Sequence, residues 1–533
     1  MSTGLAITKQ VIKERRFVAI ALGYMSGAVV LASIYGYRSA YPTLAGRMRL
    51  ATTFSHDAGI AAVFGPARVL ETVSGFVAFR TLGVIPLIVG IWAALTATKA
   101  LRGSEESGRW EILVSSPITR RNATLATIRG LYGSITITLL ISSILIAVAA
   151  RISHDFLIRS SLFFSLSLIA AGYFFASVGA LASQLTALRK SASAIAGTVI
   201  GLSFLVRAIA DSSTTFNWVH WLSPLGWVTE SAPLTHPQWW GLMLLLIGTL
   251  ICTAAAISIS GKRDLRSSLF VERKSRTVNF RVTSVSRLWV ALHWGNILSW
   301  IISLFFMAFA FGLVAHGASK AFSGSSTIQS TFAKLGIVRS NNFFFGIIFL
   351  FLAAGLMFAS NSFAAALREQ ESSGYLDHIL VSPLPRTLLM VSRLFVSMVS
   401  LVLMGISAGL GAFIGSSISK GELSFNDAFF AGLNLVPSAL VMFGISIAIF
   451  GIQPRASILA GQSLLAWSFL LELIGSTIKL NHWILDTSLL HHMAFAPAVP
   501  PNWPKNALLL IISFILLGVG TFAFNNRDTA IGE

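Results

Sequence analysis

Two short polar stretches hold the charged and turn-forming residues whose spacing can do work in this chain. Glu106–Arg120 reads ESGRWEILVSSPITR, and Ser372–Arg386 reads SSGYLDHILVSPLPR. Gly108, Glu111, Ser116, Pro117 and Arg120 are matched, 266 positions on, by Gly374, Asp377, Ser382, Pro383 and Arg386; just upstream, Arg102 and Glu105 match Arg368 and Glu371. Their flanking carboxylates offer a charged grip, with no nucleophile and base set up for bond making. Trp110, Leu113 and Val114 stand at i, i+3 and i+4, as do Leu376, Ile379 and Leu380, so each stretch carries one apolar stripe at helical spacing. A proline ends each helix, because the residue before proline is pushed out of the α region. Each island therefore reads as a short amphipathic helix on a membrane surface, a shape that a soluble partner can hold and push. Arg120 and Arg386 stand where the next apolar run begins, so force on the island passes into the apolar bundle.

Other chemistry is scarce. The chain has no G-x-x-x-x-G-K-[ST] phosphate loop and no H-E-x-x-H. Its one G-x-S-x-G, Gly405 to Gly409, sits inside an apolar run, whereas a nucleophile elbow needs a strand-to-helix turn. Those glycines, with Gly197/Gly201 and Gly411/Gly415, fit close helix packing instead. His491-His492 lacks a third ligand nearby, and the single Cys252 leaves neither a disulfide nor a cysteine metal cluster available.

The elements that must position the islands are membrane spans. The 533 residues are 55% hydrophobic and only 11% charged, with a mean hydropathy of +0.76, about half the charge density of a soluble chain. The net charge of +19 fits basic loops facing anionic lipid, and nucleic acid is not expected as a partner. The start, KQVIKERR, leads into a run long enough to stay in the bilayer, so no cleavable signal is expected. Runs of spanning length fall at 17–37, 82–101, 130–150, 160–187, 191–210 and 238–260, then at 294–315, 343–367, 387–415, 428–452, 456–476 and 506–524. The expected organisation is a first half at 1–260, a basic connector at 261–287 and a second half at 288–533. The fold class is thus all-α and polytopic, about twelve transmembrane helices in two repeats of six.

Lysine and arginine orient the chain. The connector alone carries Lys262, Arg263, Arg266, Arg273, Lys274, Arg276, Arg281 and Arg287, which places it and both termini in the cytoplasm. Arg38, Arg47, Arg49, Arg68 and Arg80, after the first span, pull the other way. With six spans per half, both islands face the cytoplasm, so the halves are parallel repeats. Further echoes agree with duplication: RASILAG at Arg455 resembles KSASAIAG at Lys190, and Arg263-Asp264 resembles Arg527-Asp528. Between spans five and six of each half lies an outer segment rich in tryptophan and proline, including Trp218, Trp221, Trp239, Trp483 and Trp503.

The islands resemble the E-x-x-G-x-x-[ED]-x-[IL]-[LV]-x-[ST]-P-x-x-R segment of ABC-2-type transporter permeases. The duplication within one chain of this length is similar to the polyketide-antibiotic (tetronasin-type) exporter permeases. Asp377 departs from the usual glutamate, keeping the charge with a shorter reach. The resemblance implies a type V ABC exporter fold in a bacterial plasma membrane, exporting lipophilic drugs or antibiotics. It implies two copies of a separately encoded ABC ATPase as partners, with ATP and Mg2+ bound there and no cofactor or enzyme activity in this chain. Segments 104–120 and 370–386 would be coupling helices, with Glu105, Glu106, Gly108, Glu111, Pro117, Arg120, Glu371, Gly374, Asp377, Pro383 and Arg386 making up the coupling site. The lead-ins near 6–16 and 284–293 would be elbow helices, and substrate would gather between spans two and five of each half.

Spans five and eleven carry one more matched pair, SFLVRAI from Ser203 and SFLLELI from Ser468. Their charged positions, Arg207 and Glu472, follow Phe204 and Phe469. An ionisable group within a span usually faces the bundle interior and is often paired, so these residues are expected to line the pathway or form an outer gate. The local reading keeps Arg207 with Asp211 instead. A twelve-span proton-coupled antiporter would want G-x-x-x-D-[RK]-x-G-R-[RK] between spans two and three, where this chain reads GSEESGRWEILVSSP. A lipid exporter remains the alternative cargo class. A membrane-embedded enzyme would need clustered polar residues at membrane depth or a large soluble loop, and the sequence has neither.

Overall fold

The computed structural model describes the chain apart from residues 1–2, 56–60, 62–63, 115–116, 213, 264–283, 324–342, 373, 375–383, 476–481 and 528–533. Every regular element among the described residues is helical. Eleven of the helices are long and apolar enough to cross a membrane. The remaining expected span, 456–476, is helical over Pro454–Gly475. The chain separates into two compact units, Met1–Thr277 and Val278–Glu533, and the division falls inside the expected connector.

In the first unit, α1 (Thr3–Ala40) runs unbroken through the lead-in and the first span. The lead-in was expected as a separate surface helix at 6–16. It is continuous because Ile7, Val11, Arg15, Ala19 and Gly23 form one buried stripe, each four residues from the last, with no proline to interrupt it. After α2 (Leu44–Ser55), α3 (Val73–Leu82) and α4 (Ile85–Thr98) build span two, joined at Gly83 ahead of Pro86. A π-helical turn, Lys99–Gly103, and the short turn Ser104–Glu106 carry α4 into the island. The island's own helix is α5 (Arg109–Val114). Then come α6 (Arg120–Ser153), α7 (Ile158–Leu185), α8 (Arg189–Ser212), a 3-10 helix at Thr214–Leu222, α9 (Pro224–Glu230) and α10 (Trp240–Ser260). Helix α1 packs along α6, while α4 and α10 both pack along α7.

The second unit comprises α11 (Val285–Ser323), α12 (Phe343–Ser372), α13 (Arg386–Ile418), α14 (Phe425–Asn434), α15 (Val436–Ile452), α16 (Pro454–Gly475) and α17 (Trp503–Asn525). The lead-in near 284–293 again continues directly into a span, within α11. Here α11 packs along α13, α12 along α15, and α17 along α15. In each unit, then, the first long helix lies on the third, the second on the fourth and the sixth on the fourth. Pro437 at the start of α15 breaks span ten, leaving α14 as a separate helix of nearly three turns leading into it.

Small residues set the closest approaches. A Cβ on Gly411 would come within 2.3 Å of the Phe305 carbonyl oxygen, and one on Gly415 within 2.2 Å of the Phe309 carbonyl oxygen. Gly405 and Gly409 meet the backbone of Gly432 and Ala428 in the same way, so the G-x-S-x-G sequence lies inside helix α13, packed on α14. Gly197 and Gly201 were expected to do likewise, but a Cβ at either would meet open space. The spacing alone could not say which face of α8 has a neighbour. Gly415→Ala should therefore lower thermal stability in detergent by about 1–3 kcal/mol, as overpacking against backbone does, while Gly201→Ala should leave the melting temperature unchanged; equal losses would refute this difference.

Candidate functional site

The islands are built onto the ends of spans two and eight by a turn that is the same in both units. The Gly108 amide donates to the Glu105 carbonyl at 3.2 Å, and the Gly374 amide to the Glu371 carbonyl at 3.0 Å. Both glycines are left-handed, at φ +74° and +73°, and a Cβ on either would meet nothing within 4 Å. Backbone conformation alone therefore requires glycine at the exit of each helix. From that turn the chain enters α5, where Trp110 is buried against Ile7, Val11, Leu101, Ala123 and Ala126. The apolar side of the first island is thus anchored on its own unit, while Glu111 and Pro117 are exposed. Asp377 and Pro383, with the rest of 375–383, lie outside the described residues.

Beneath the turn sits a buried ion cluster. Glu105 Oε2 accepts from Arg102 Nη1 at 2.9 Å and from Arg263 Nη2 at 2.5 Å, and the Glu105 side chain is only 5% exposed. The two arginines reach onward: Arg102 Nε donates to the Ala187 carbonyl at 2.6 Å, and Arg263 Nε to Gln184 Oε1 at 3.0 Å. Arg120 Nη1 closes the ring on the Arg263 carbonyl at 2.7 Å. One carboxylate therefore joins the ends of spans two, three, four and six. Desolvated charges of this kind hold together only when each is paired and its hydrogen bonds are satisfied. Glu106 lies apart, accepting the Arg189 amide at the start of α8, where a carboxylate suits the helix dipole.

The second unit repeats the arrangement with one arginine reassigned. Arg527 grips Glu371 with both ends of its guanidinium, at 2.5 and 2.8 Å, and stacks over Phe450 and Phe524. Arg386 Nη1 donates to the Arg527 carbonyl at 3.3 Å, as Arg120 does to Arg263. Arg368 donates to the carbonyls of Pro454 and Arg455, the counterpart of the bond from Arg102 to Ala187. Sequence reasoning noticed Arg263 and Arg527 only as an echo after the last span of each half and gave them no role. The repeat was the signal; what it could not supply was the partner carboxylate some 160 residues earlier.

At the ends of spans five and eleven remote from the islands, matched serines hold the outer segments. Ser223 Oγ donates to the Ser203 carbonyl at 2.6 Å, and Ser488 Oγ to the Ser468 carbonyl at 3.2 Å. Arg207 is wholly buried within the first unit. Its Nη1 donates to the Gly83 carbonyl at 3.1 Å, its Nε lies 3.5 Å from Asp211, and its guanidinium covers the Phe204 ring at 4.9 Å. Asp211 also meets His220 Nε2 at 3.0 Å. In the second unit Glu472 is half-buried, and Phe469 packs edge-on against Phe351. Arg207 is thus held within its own unit, through Asp211 to His220 of the segment that follows, as the local reading of the sequence has it.

These features define a polytopic helical membrane protein with a charged clamp under each island. Residues 283–525 match the family described as multidrug efflux system permease Rv1217c, C-terminal domain. The chain is 25% identical over 533 residues to the multidrug efflux system permease protein Rv1217c of Mycobacterium tuberculosis (strain ATCC 25618 / H37Rv), covering 97% of this chain and 93% of that one.

The clamp makes a definite prediction. Glu105→Ala strands two buried guanidinium groups and should cost about 3 kcal/mol of stability. Removing Arg263 as well should cost less than the sum of the two single losses, because the groups act as one network. Thermal unfolding of the three variants in detergent measures both; strict additivity would show that the ion cluster is not a unit.

Proposed function

We propose that this chain is the transmembrane permease of an ATP-driven exporter, coupled through its two islands to two copies of a separate ABC ATPase. The observation that carries this reading is the repeated Glu-x-x-Gly turn with a buried carboxylate clamp behind it. Such a clamp makes each island a rigid handle rather than a loose loop, and the chain has no phosphate loop of its own. The exposed Glu111 and its counterpart Asp377 would meet basic residues of the ATPase, where ATP and Mg2+ would bind. The likeness to the multidrug efflux permease of Mycobacterium tuberculosis and the apolar spans support a lipophilic drug-like cargo, with membrane lipid as the surrounding solvent.

The islands would lie in the cytoplasm, with both termini. Arg38 and Arg68, which count against that orientation in the sequence, are ion-paired to Asp155 at 2.7 Å and to Glu230 at 2.5 Å, so they add little net positive charge to the opposite side. Two six-span repeats in parallel would then form one transport unit.

Glu111→Lys combined with Asp377→Lys should abolish co-purification with the ATPase and the substrate stimulation of its ATP hydrolysis. A complex that remains intact and fully stimulated would overturn the coupling assignment and the cytoplasmic placement of the islands together. For the pathway residues, Phe204 and Phe469 are proposed to lie on the substrate pathway, with Arg207 and Glu472 as the charged positions beside them. Export measured for Arg207→Ala, Glu472→Ala and the double variant decides that point: a coupling above about 0.5 kcal/mol supports joint action, and additivity within that margin excludes it.

A further inference from the structure

The second unit buries a cation that the clamps do not use. Arg393 lies two turns into α13 from the island end and is 5% exposed. Its guanidinium sits over the Trp289 ring at 4.8 Å and donates to Gln370 Oε1. Gln370 Nε2 is 3.3 Å from His293 Nε2, and the His293 ring stacks on Trp289 with centroids 6.3 Å apart. A narrow cleft between α11, α12 and α13 is lined by Trp289, His293, Phe363, Arg393, Ser397 and Ser400, with the aliphatic side chains of Ile297 and Val396. Its free space is about that of one oxygen-sized group. Among the described residues no carboxylate lines it, and none is ion-paired to Arg393.

A guanidinium does not give up its proton, and a buried charge needs a counter-charge at this depth. Trp289 and Gln370 supply a ring quadrupole and one amide dipole, which leave the net charge in place and most of the five N–H donors unused. The other clustered arginines of this protein, Arg102, Arg263 and Arg527, each have a carboxylate. The matched position in the first unit is Thr127, whose hydroxyl is satisfied by the Ala123 carbonyl, so the cation is a feature of the second half alone. We propose that Arg393 is an oxyanion site, taking one oxygen of the phosphate or carboxylate head of an amphiphile whose apolar part lies along α11. Leu292, three residues on from the cleft-lining Trp289 and so next to it on that helix, is exposed and offers apolar surface there.

The test uses the full chain, purified in neutral detergent and delipidated. Dioleoyl phosphatidylglycerol, dioleoyl phosphatidylcholine and decanoate are titrated, and binding is followed by the rise in melting temperature and by native mass spectrometry. At least one anionic probe should bind saturably, one copy per chain being lost in Arg393→Gln, with affinity at least about fivefold weaker, as expected for deleting one cation near a lipid surface. Phosphatidylcholine, whose head carries no net charge, should not distinguish the two proteins. Arg393→Lys, which keeps the charge, should retain more of the binding and stands in if the glutamine variant fails to fold. Binding of phosphatidylglycerol but not decanoate identifies a lipid phosphate; the reverse identifies a carboxylate-bearing cargo. If neither anionic probe binds the wild-type protein, or if the variants bind both equally well, the site does not exist and Arg393 is a packed structural side chain.

Discussion

A carboxylate that leaves water must find cations, and each half of this protein is arranged around that requirement. Glu105 and Glu371 are buried where a helix ends and turns back. The arginines that neutralise them come from the last span of each unit, Arg263 and Arg527. Because Arg120 and Arg386 bind the backbone of those same arginines, the helix following the island is drawn into the same cluster. The ends of the spans cannot separate without exposing unpaired charge in a low-dielectric setting, which is far more costly than parting apolar surfaces in lipid. Rigid attachment of a surface helix to several spans at once is what a handle for force requires.

The opposite ends of the spans are held by other means. There serine hydroxyls fasten the segments after spans five and eleven to the backbone of those spans, and the first unit adds the Arg68–Glu230 pair and the Arg207, Asp211 and His220 group. A neutral hydroxyl bond contributes about 1 kcal/mol, well below a buried charge cluster.

The two units share this framework and differ in detail. Arg102 serves Glu105 directly, while its counterpart Arg368 is turned to the carbonyls of Pro454 and Arg455. Thr127 in the first unit stands where the second has Arg393. Differences of this sort at matched positions are where the halves can take on separate roles, because the residues holding the islands are the ones they have in common.

Much was legible from the order of residues. Apolar runs of about 20 residues can only be helices in a bilayer, since backbone groups must be satisfied within each segment, and the described helices fall on those runs. The glycine of each island was legible as a matched residue, Gly108 and Gly374, but its left-handed conformation came from the structure. Sequence spacing could not assign partners. Gly411/Gly415 and Gly197/Gly201 share one pattern, yet only the first pair has a helix against it, because a pattern gives a face and not its neighbour. The lead-ins to spans one and seven looked like separate helices, and the continuity of the first came from a buried stripe that only packing reveals. The pairing of Glu105 with Arg263 joins residues 158 apart; local chemistry made both charges visible, and only the return of the last span to the end of the second decided that they meet.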